Sequence, residues 1–247
     1  MNSLWAVFLG SLQGLTEFLP VSSSCHLVFA QIIIPDFNQS GVLFDVVLHA
    51  GTLFAVIFYF RKKILSISSK YVWFLLLCTI PAGLVGYFFQ TAIEGLFESV
   101  RIVGYALLLT GVMNLLTDKA IVGKKSINTK SSLLVGLAQA VAIIPGVSRS
   151  GSTIFAGTFS GLTKKNAAEF SFLLSVPAIL GANILEIAKT PLDNSSINLP
   201  FYIIGFLSAF LAGFFAINFV VKLLVRKRFK VFGIYCLALG VLVIIFS

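Results

Sequence analysis

Charge is scarce in this chain. Of its 247 residues only 9 are acidic and 18 basic, 11% in all, where a water-soluble domain carries about a quarter. With 58% hydrophobic residues and a mean hydropathy of +1.01, that scarcity excludes an ordinary soluble globule. Cysteine is scarce as well. Cys25, Cys78 and Cys236 stand apart in apolar surroundings, with no CxxC or Cys/His cluster, so neither a zinc site nor a disulfide framework is indicated. No GxxxxGK[ST] phosphate loop occurs, and GVSRS departs from the GxSxG nucleophile elbow, which also needs an α/β sheet that this pattern does not provide. The first residues, MNSLWAVF, have no basic n-region, and no cleavable signal peptide is expected.

What the chain has in abundance is long apolar runs, which make it an all-α polytopic membrane protein. Windows near 43–60, 71–90, 101–117, 167–188, 200–225 and 231–246 are each long enough to cross a ~30 Å hydrocarbon core as a helix. Two further stretches are interrupted. Residues 4–34 are broken at Pro20 and Ser22-Ser23-Ser24, and residues 132–162 at Pro145-Gly146 and Ser148-Arg149-Ser150-Gly151. Proline with glycine and serine breaks a helix, so both read as re-entrant helical hairpins. Gly10 and Gly136, Gln13 and Gln139, Ser22 and Ser148, Ser24 and Ser150, and Phe44 and Phe170 are each 126 positions apart. That constant offset implies an internal duplication within a single membrane domain spanning 1–247: one repeat over about 1–117, a second over about 131–247, and a basic loop at 118–130 between them.

The net charge of +9 does not point to nucleic acid, because the basic residues cluster in short loops between apolar segments. Arg61, Lys62, Lys63 and Lys70 fill one loop. Lys119, Lys124, Lys125 and Lys130 fill another, Lys164 and Lys165 follow the second hairpin, and Arg226, Lys227, Arg228 and Lys230 precede the last helix. Placing these loops in the cytoplasm leaves Asp36, Glu94, Glu98 and Asp193 outside, along with both termini. Each half then has one hairpin, which returns to its own side, and three crossings. An odd number of crossings inverts the second half, so the hairpins enter from opposite sides and their polar tips can meet near the midplane.

Glu17 costs roughly 2.5–3.5 kcal/mol at mid-bilayer, so it should face a protein interior or a wet cavity. One reading makes it a carboxylate capped by a serine to hold the break. The other notes that Gln13 and Glu17, at i and i+4, share a helix face and offer oxygens to a divalent cation. His26, just after the break, has the chemistry of a general acid, base or nucleophile. His49 is expected to bond Asp45 one turn back in a structural or supporting role. Arg149 is the one basic residue at membrane depth. With Ser148, Ser150, Thr153 and the N-terminus of a half-helix it makes an anion cradle, or else it pairs with Glu17 only to brace the hairpins. A phosphorylated lipid is a natural ligand for such a site.

At these residues the sequence resembles the bacterial undecaprenyl-diphosphate phosphatase family, also called the bacitracin-resistance protein family. The resemblance rests on an (E/Q)xxxE motif (Gln13, Glu17) leading into Leu19-Pro-Val-Ser22-Ser23 and His26, on PGxSRSxxT (Pro145 to Thr153), and on FDVVLHAGTL at 44–53. It implies hydrolysis of undecaprenyl diphosphate to undecaprenyl phosphate and inorganic phosphate, which recycles a lipid carrier of envelope polymer synthesis. It also implies a divalent cation, Mg²⁺ or Ca²⁺, assisted by Gln13 and Glu17, and a site open to the outer face of the cytoplasmic membrane. In the implied fold, six spanning helices and two hairpins form inverted repeats. Arg149 would hold the diphosphate with Ser22, Ser148, Ser150 and Thr153 around it, and His26, Ser23 or Ser148 would be nucleophile or base. Cys25 stands where the family has glycine; if that position needs positive φ, cysteine would be strained there. The competing function is a transporter or flippase of a phosphorylated polyprenyl lipid, since broken helices in inverted repeats also build transporters. The small-residue stripe GFLSAFLAG at 205–213 leaves two uses open, packing within one chain or a homodimer.

Overall fold

Helices are the only regular elements among the described residues of the computed structural model, which are 3–34, 43–97, 99–120, 123, 126–189, 199–226 and 228–247. The first hairpin is α1 (Ser3–Phe18) and α2 (Ser23–Ile33), and the second is α8 (Thr129–Val141) and α9 (Arg149–Phe159). At 1.5 Å per residue these four helices run only about 16–24 Å, short of a bilayer core. The expected spans are α3 (Leu43–Tyr59), α5 (Ser69–Phe88), α7 (Val100–Lys119), α10 (Lys164–Lys189), α11 (Leu199–Val225) and α12 (Lys230–Phe246). Four of them are long and apolar enough to cross a membrane outright, and α3 and α12 are shorter apolar helices of 17 residues. Two short helices, α4 (Arg61–Leu65) and α6 (Gln90–Phe97), lie between the expected spans. Asp36, Glu98, Asp193, Lys124, Lys125 and Lys227 lie outside the described residues.

The outer surface is apolar. Phe88, Phe215 and Ile245 are about 70% exposed, alongside many other large hydrophobic side chains. A water-soluble monomer does not carry so much uncovered apolar area, and here it faces lipid. The chain is a multi-pass membrane protein.

Packing pairs elements across the two halves of the chain. α1 lies on α11 and α8 on α5, while α7 meets α12 and α3 meets α10. The tightest seam is built on small residues. A Cβ placed on Gly14 would stand 2.5 Å from the Ala209 carbonyl oxygen and 2.7 Å from the Ala212 Cβ. On Gly10 it would stand 2.5 Å from the Gly205 oxygen, and on Gly51 of α3 2.5 Å from that of Phe206. The small residues of the stripe at 205–213, Gly205, Ala209 and Gly213, are therefore packed inside one chain, against α1 and α3.

The basic loops gather at one end. Lys63 pairs with Glu169, near the start of α10. Asp118, at the end of α7, accepts from Lys164 Nζ at 3.2 Å and from the Lys230 backbone N–H at 2.8 Å.

Because the α1–α11 seam has no slack, Gly14→Val should abolish the monodisperse folded protein seen by size exclusion in detergent. Overpacking of this kind costs about 1–3 kcal/mol even where neighbours can move, and a backbone carbonyl cannot. Gly83→Ala, with nothing within 4 Å of its added carbon, should elute as wild type.

Candidate active site

Both hairpins break where backbone groups would be orphaned, and α7 supplies partners for them. Asn114 Nδ2 donates to the Pro20 carbonyl at 2.7 Å, and the Cys236 thiol reaches the same oxygen at 3.5 Å. One turn earlier, Thr110 Oγ1 donates to the Gly146 carbonyl at 3.0 Å and accepts from the Ser148 backbone N–H at 3.0 Å. Ser150 Oγ donates to the Leu19 carbonyl at 3.1 Å, joining the two tips directly. Pro20 and Gly146 are buried away from the cavity, so protein groups must satisfy their carbonyls. The second turn passes through Gly146 at φ 94°, and the Ser148 hydroxyl caps α9 by accepting from the Gly151 N–H at 3.2 Å.

In the first turn the strain falls on Ser22, not Cys25. Ser22 caps α2 at φ 69°, the one non-glycine residue with positive φ among those described, and its side chain makes no capping bond. Cys25 sits one turn inside α2, buried against Val103 and Leu107. The glycine-like geometry expected at position 25 is three residues earlier.

The turns bring Glu17 and Arg149 into contact. Arg149 Nη2 pairs with Glu17 Oε1, and its Nη1 reaches the Ser171 carbonyl at 3.4 Å. Glu17 Oε2 accepts from Ser23 Oγ at 2.8 Å and from Gln13 Nε2 at 3.0 Å, and faces His49 Nε2 across 3.9 Å. The serine cap and the brace weighed from the sequence are thus both present. They also form the wall of a cavity of about 740 Å³, which Ser22, Ser23, Ser148, Arg149, Asp45 and Glu186 line as well. A wall of hydroxyls, carboxylates and a guanidinium goes beyond what a brace requires.

Gln13 and Glu17, the residues expected to assist a cation, are engaged with each other and with Ser23 and Arg149. Gln13 is fully buried, does not line the cavity, and turns its N–H toward Glu17. Its Oε1 is buried and has no hydrogen-bond partner among the described residues. The Glu17 oxygens are engaged by a guanidinium, a hydroxyl and an amide, and among the described residues no group of three His, Cys, Asp or Glu could hold a metal ion.

His26 lies to one side of the Glu17–Arg149 pair. Its Nδ1 lies 2.7 Å from the Ser22 carbonyl, and its Nε2 lies 2.6 Å from the Tyr235 hydroxyl, with the two rings stacked. Both nitrogens are engaged away from Glu17, and His26 does not line the cavity. Nor do Ser150 and Thr153. Ser150 bonds across to Leu19, and Thr153 Oγ1 shares a 2.6 Å bond with Ser171 Oγ. Ser22, Ser23, Ser148, Arg149 and Glu17 are the nominated residues the fold brings together. His49 bonds Asp45 one turn back as expected, through the backbone oxygen, and Thr110 and Asn114 were not foreseen from the sequence. The signal for the latter two was there: polar residues four apart in the apolar run LLLTGVMNLLT.

The chain matches the family described as Bacitracin resistance protein BacA over residues 6–242. It belongs to this family. Relatives named undecaprenyl-diphosphatase include those of Thermodesulfovibrio yellowstonii (41% identical, over 96% of this chain and 95% of the relative) and Elusimicrobium minutum (40%, over 99% and 98%). Another, from Methanobrevibacter smithii, is 37% identical over 98% of this chain and 97% of the relative. Cys25 has a packing role in this structure, buried against Val103 and Leu107.

Cys25→Gly should therefore lower the thermal midpoint in detergent, by the equivalent of roughly 1–2 kcal/mol for a glycine inside a helix and a lost buried side chain. Ser22→Gly should raise it, since a left-handed non-glycine residue costs roughly 1–2 kcal/mol. The opposite ordering would mean that the strain lies at Cys25.

Proposed function

We propose that this protein hydrolyses undecaprenyl diphosphate to undecaprenyl phosphate and inorganic phosphate, returning the lipid carrier to cell-wall synthesis and so conferring bacitracin resistance. The observation that carries the reading is Ser23. Its hydroxyl donates to a carboxylate that is itself held by an arginine, on the wall of a cavity large enough for a diphosphate headgroup. A flippase needs an anion cradle but has no use for a hydroxyl paired with a base. The names of the relatives point to the same chemistry.

Arg149 is the anion holder. Its guanidinium is already paired with one carboxylate and would exchange it for phosphoryl oxygens in the same planar geometry. The N-terminus of α9 and the Ser148 hydroxyl lie beside it. Release of Glu17 from Arg149 leaves a carboxylate 2.8 Å from the Ser23 Oγ, placed to accept its proton. Ser23 Oγ then attacks the terminal phosphorus, and the lipid monophosphate departs with the bridging oxygen. Charge developing on the phosphoryl oxygens falls on Arg149. Mg²⁺ or Ca²⁺ enters this proposal as a companion of the diphosphate.

The cavity extends from Arg149 to Asp45, near the start of α3, and Glu186, near the end of α10. Both lie at the ends of their helices opposite the basic residues that follow α3 and begin α10. That direction supports a site opening on the outer face of the cytoplasmic membrane.

Purified protein in detergent should release phosphate from undecaprenyl diphosphate. Ser23→Ala, Glu17→Ala and Arg149→Ala should each lower kcat/KM by at least about 10²-fold. Detergent has no two sides, so release there reports hydrolysis and not transport. Full activity in the Glu17 and Arg149 variants would sink this assignment of roles.

A further inference from the structure

His49 is the one cavity-lining imidazole, and the reaction as described leaves it unused. Its orientation is fixed on one side. Nδ1 lies 2.8 Å from the Asp45 backbone oxygen, and a carbonyl only accepts, so Nδ1 carries the proton. In the neutral ring Nε2 is then a bare acceptor, and it faces Glu17 Oε2 at 3.9 Å. The helix that carries it cannot drift, because Gly51 is pressed against the α11 backbone. Two acceptors held 3.9 Å apart cannot bond each other. One water molecule can donate a hydrogen to each, with legs of about 2.8 Å.

The second half of the proposed reaction needs such a water. Once Ser23 Oγ is phosphorylated it has no hydrogen to give, and the lone pair of Glu17 Oε2 that it occupied is vacated. We propose that His49 and Glu17 together hold the water that hydrolyses the phosphoryl group from Ser23, with His49 Nε2 as the acceptor that orients it. This rests on Ser23 as the phosphoryl acceptor.

The steps balance. In the first, the Ser23 hydroxyl proton moves to Glu17, the Oγ–P bond forms, and the bridging P–O bond breaks with its electron pair on the lipid monophosphate. That product takes the proton from Glu17 and leaves, restoring the carboxylate. In the second, the water gives one proton to Glu17 and its oxygen bonds to phosphorus. The P–Oγ bond breaks, and Oγ recovers the proton from Glu17 as inorganic phosphate departs. His49 binds hydrogen throughout but ends each step as it began. Its role is therefore orientation, and another acceptor of equal reach should substitute.

The test uses the full chain in detergent with undecaprenyl diphosphate labelled in its terminal phosphate, under rapid quench. His49→Leu keeps the volume and removes the acceptor. It should lower kcat by about 10²-fold, leave KM within a few-fold, and accumulate label on Ser23. His49→Gln places an amide oxygen at the reach of Nε2, and it should recover most of kcat and clear the label. The proposal falls if His49→Leu turns over like wild type, if only its KM changes, or if His49→Gln is as slow as His49→Leu. Should phosphate be released while Ser23 carries no label in wild type or His49→Leu, the covalent reading of Ser23 fails, and this inference with it. Should wild type release no phosphate at all, the failure lies with hydrolysis itself.

Discussion

The contact between Glu17 and Arg149 is what the rest of the structure depends on. Each charge alone would be costly at this depth, and neither side chain is more than 16% exposed. Removing one partner of such a buried pair typically costs 3–5 kcal/mol, because the other is stranded. The pair joins two hairpins 132 positions apart, one ending α1 and the other beginning α9. The breaks are placed so that these two side chains meet, and the remaining helices are arranged so that the breaks survive.

Survival of the breaks is a backbone problem. A broken helix in lipid exposes carbonyls that no water satisfies, and here a single helix answers for both turns. Thr110 and Asn114, one turn apart on α7, take Gly146 and Pro20 respectively. The glycines of α1 and α3 then let α11 approach within backbone contact, which holds Glu17 and His49 at fixed depth. Packing precision at Gly10, Gly14 and Gly51 is in this sense part of the site.

Much of this was legible beforehand. Apolar length placed the six spans within a few residues, and proline with serine and glycine located both breaks, because those signals are local. Side-chain direction was not legible. His26 sits among the motif residues but projects to Tyr235 of α12, 209 positions away. His49, outside both long motifs, projects to Glu17. Helical spacing tells which residues share a face and leaves unsaid which neighbour that face meets. The same limit explains Gln13, which shares a face with Glu17 yet offers it an N–H, and Thr153, whose hydroxyl is spent on Ser171. For Cys25 the pattern carried the idea of a strained residue near the break but could not fix its register, and Ser22 bears the positive φ.

The ion pair also bears on how such a site is switched on. With Glu17 and Arg149 joined, their two charges offset each other and the guanidinium occupies the carboxylate. A diphosphate competes for the same guanidinium with oxygens of the same geometry. As Arg149 turns to it, Glu17 loses its counter-charge and faces an anion, and both changes raise its affinity for a proton. The nearest hydroxyl proton is that of Ser23, at 2.8 Å. On the proposed reaction, the interaction that holds the hairpins together is thus the one whose exchange makes the base strong, and it does so only when substrate is present.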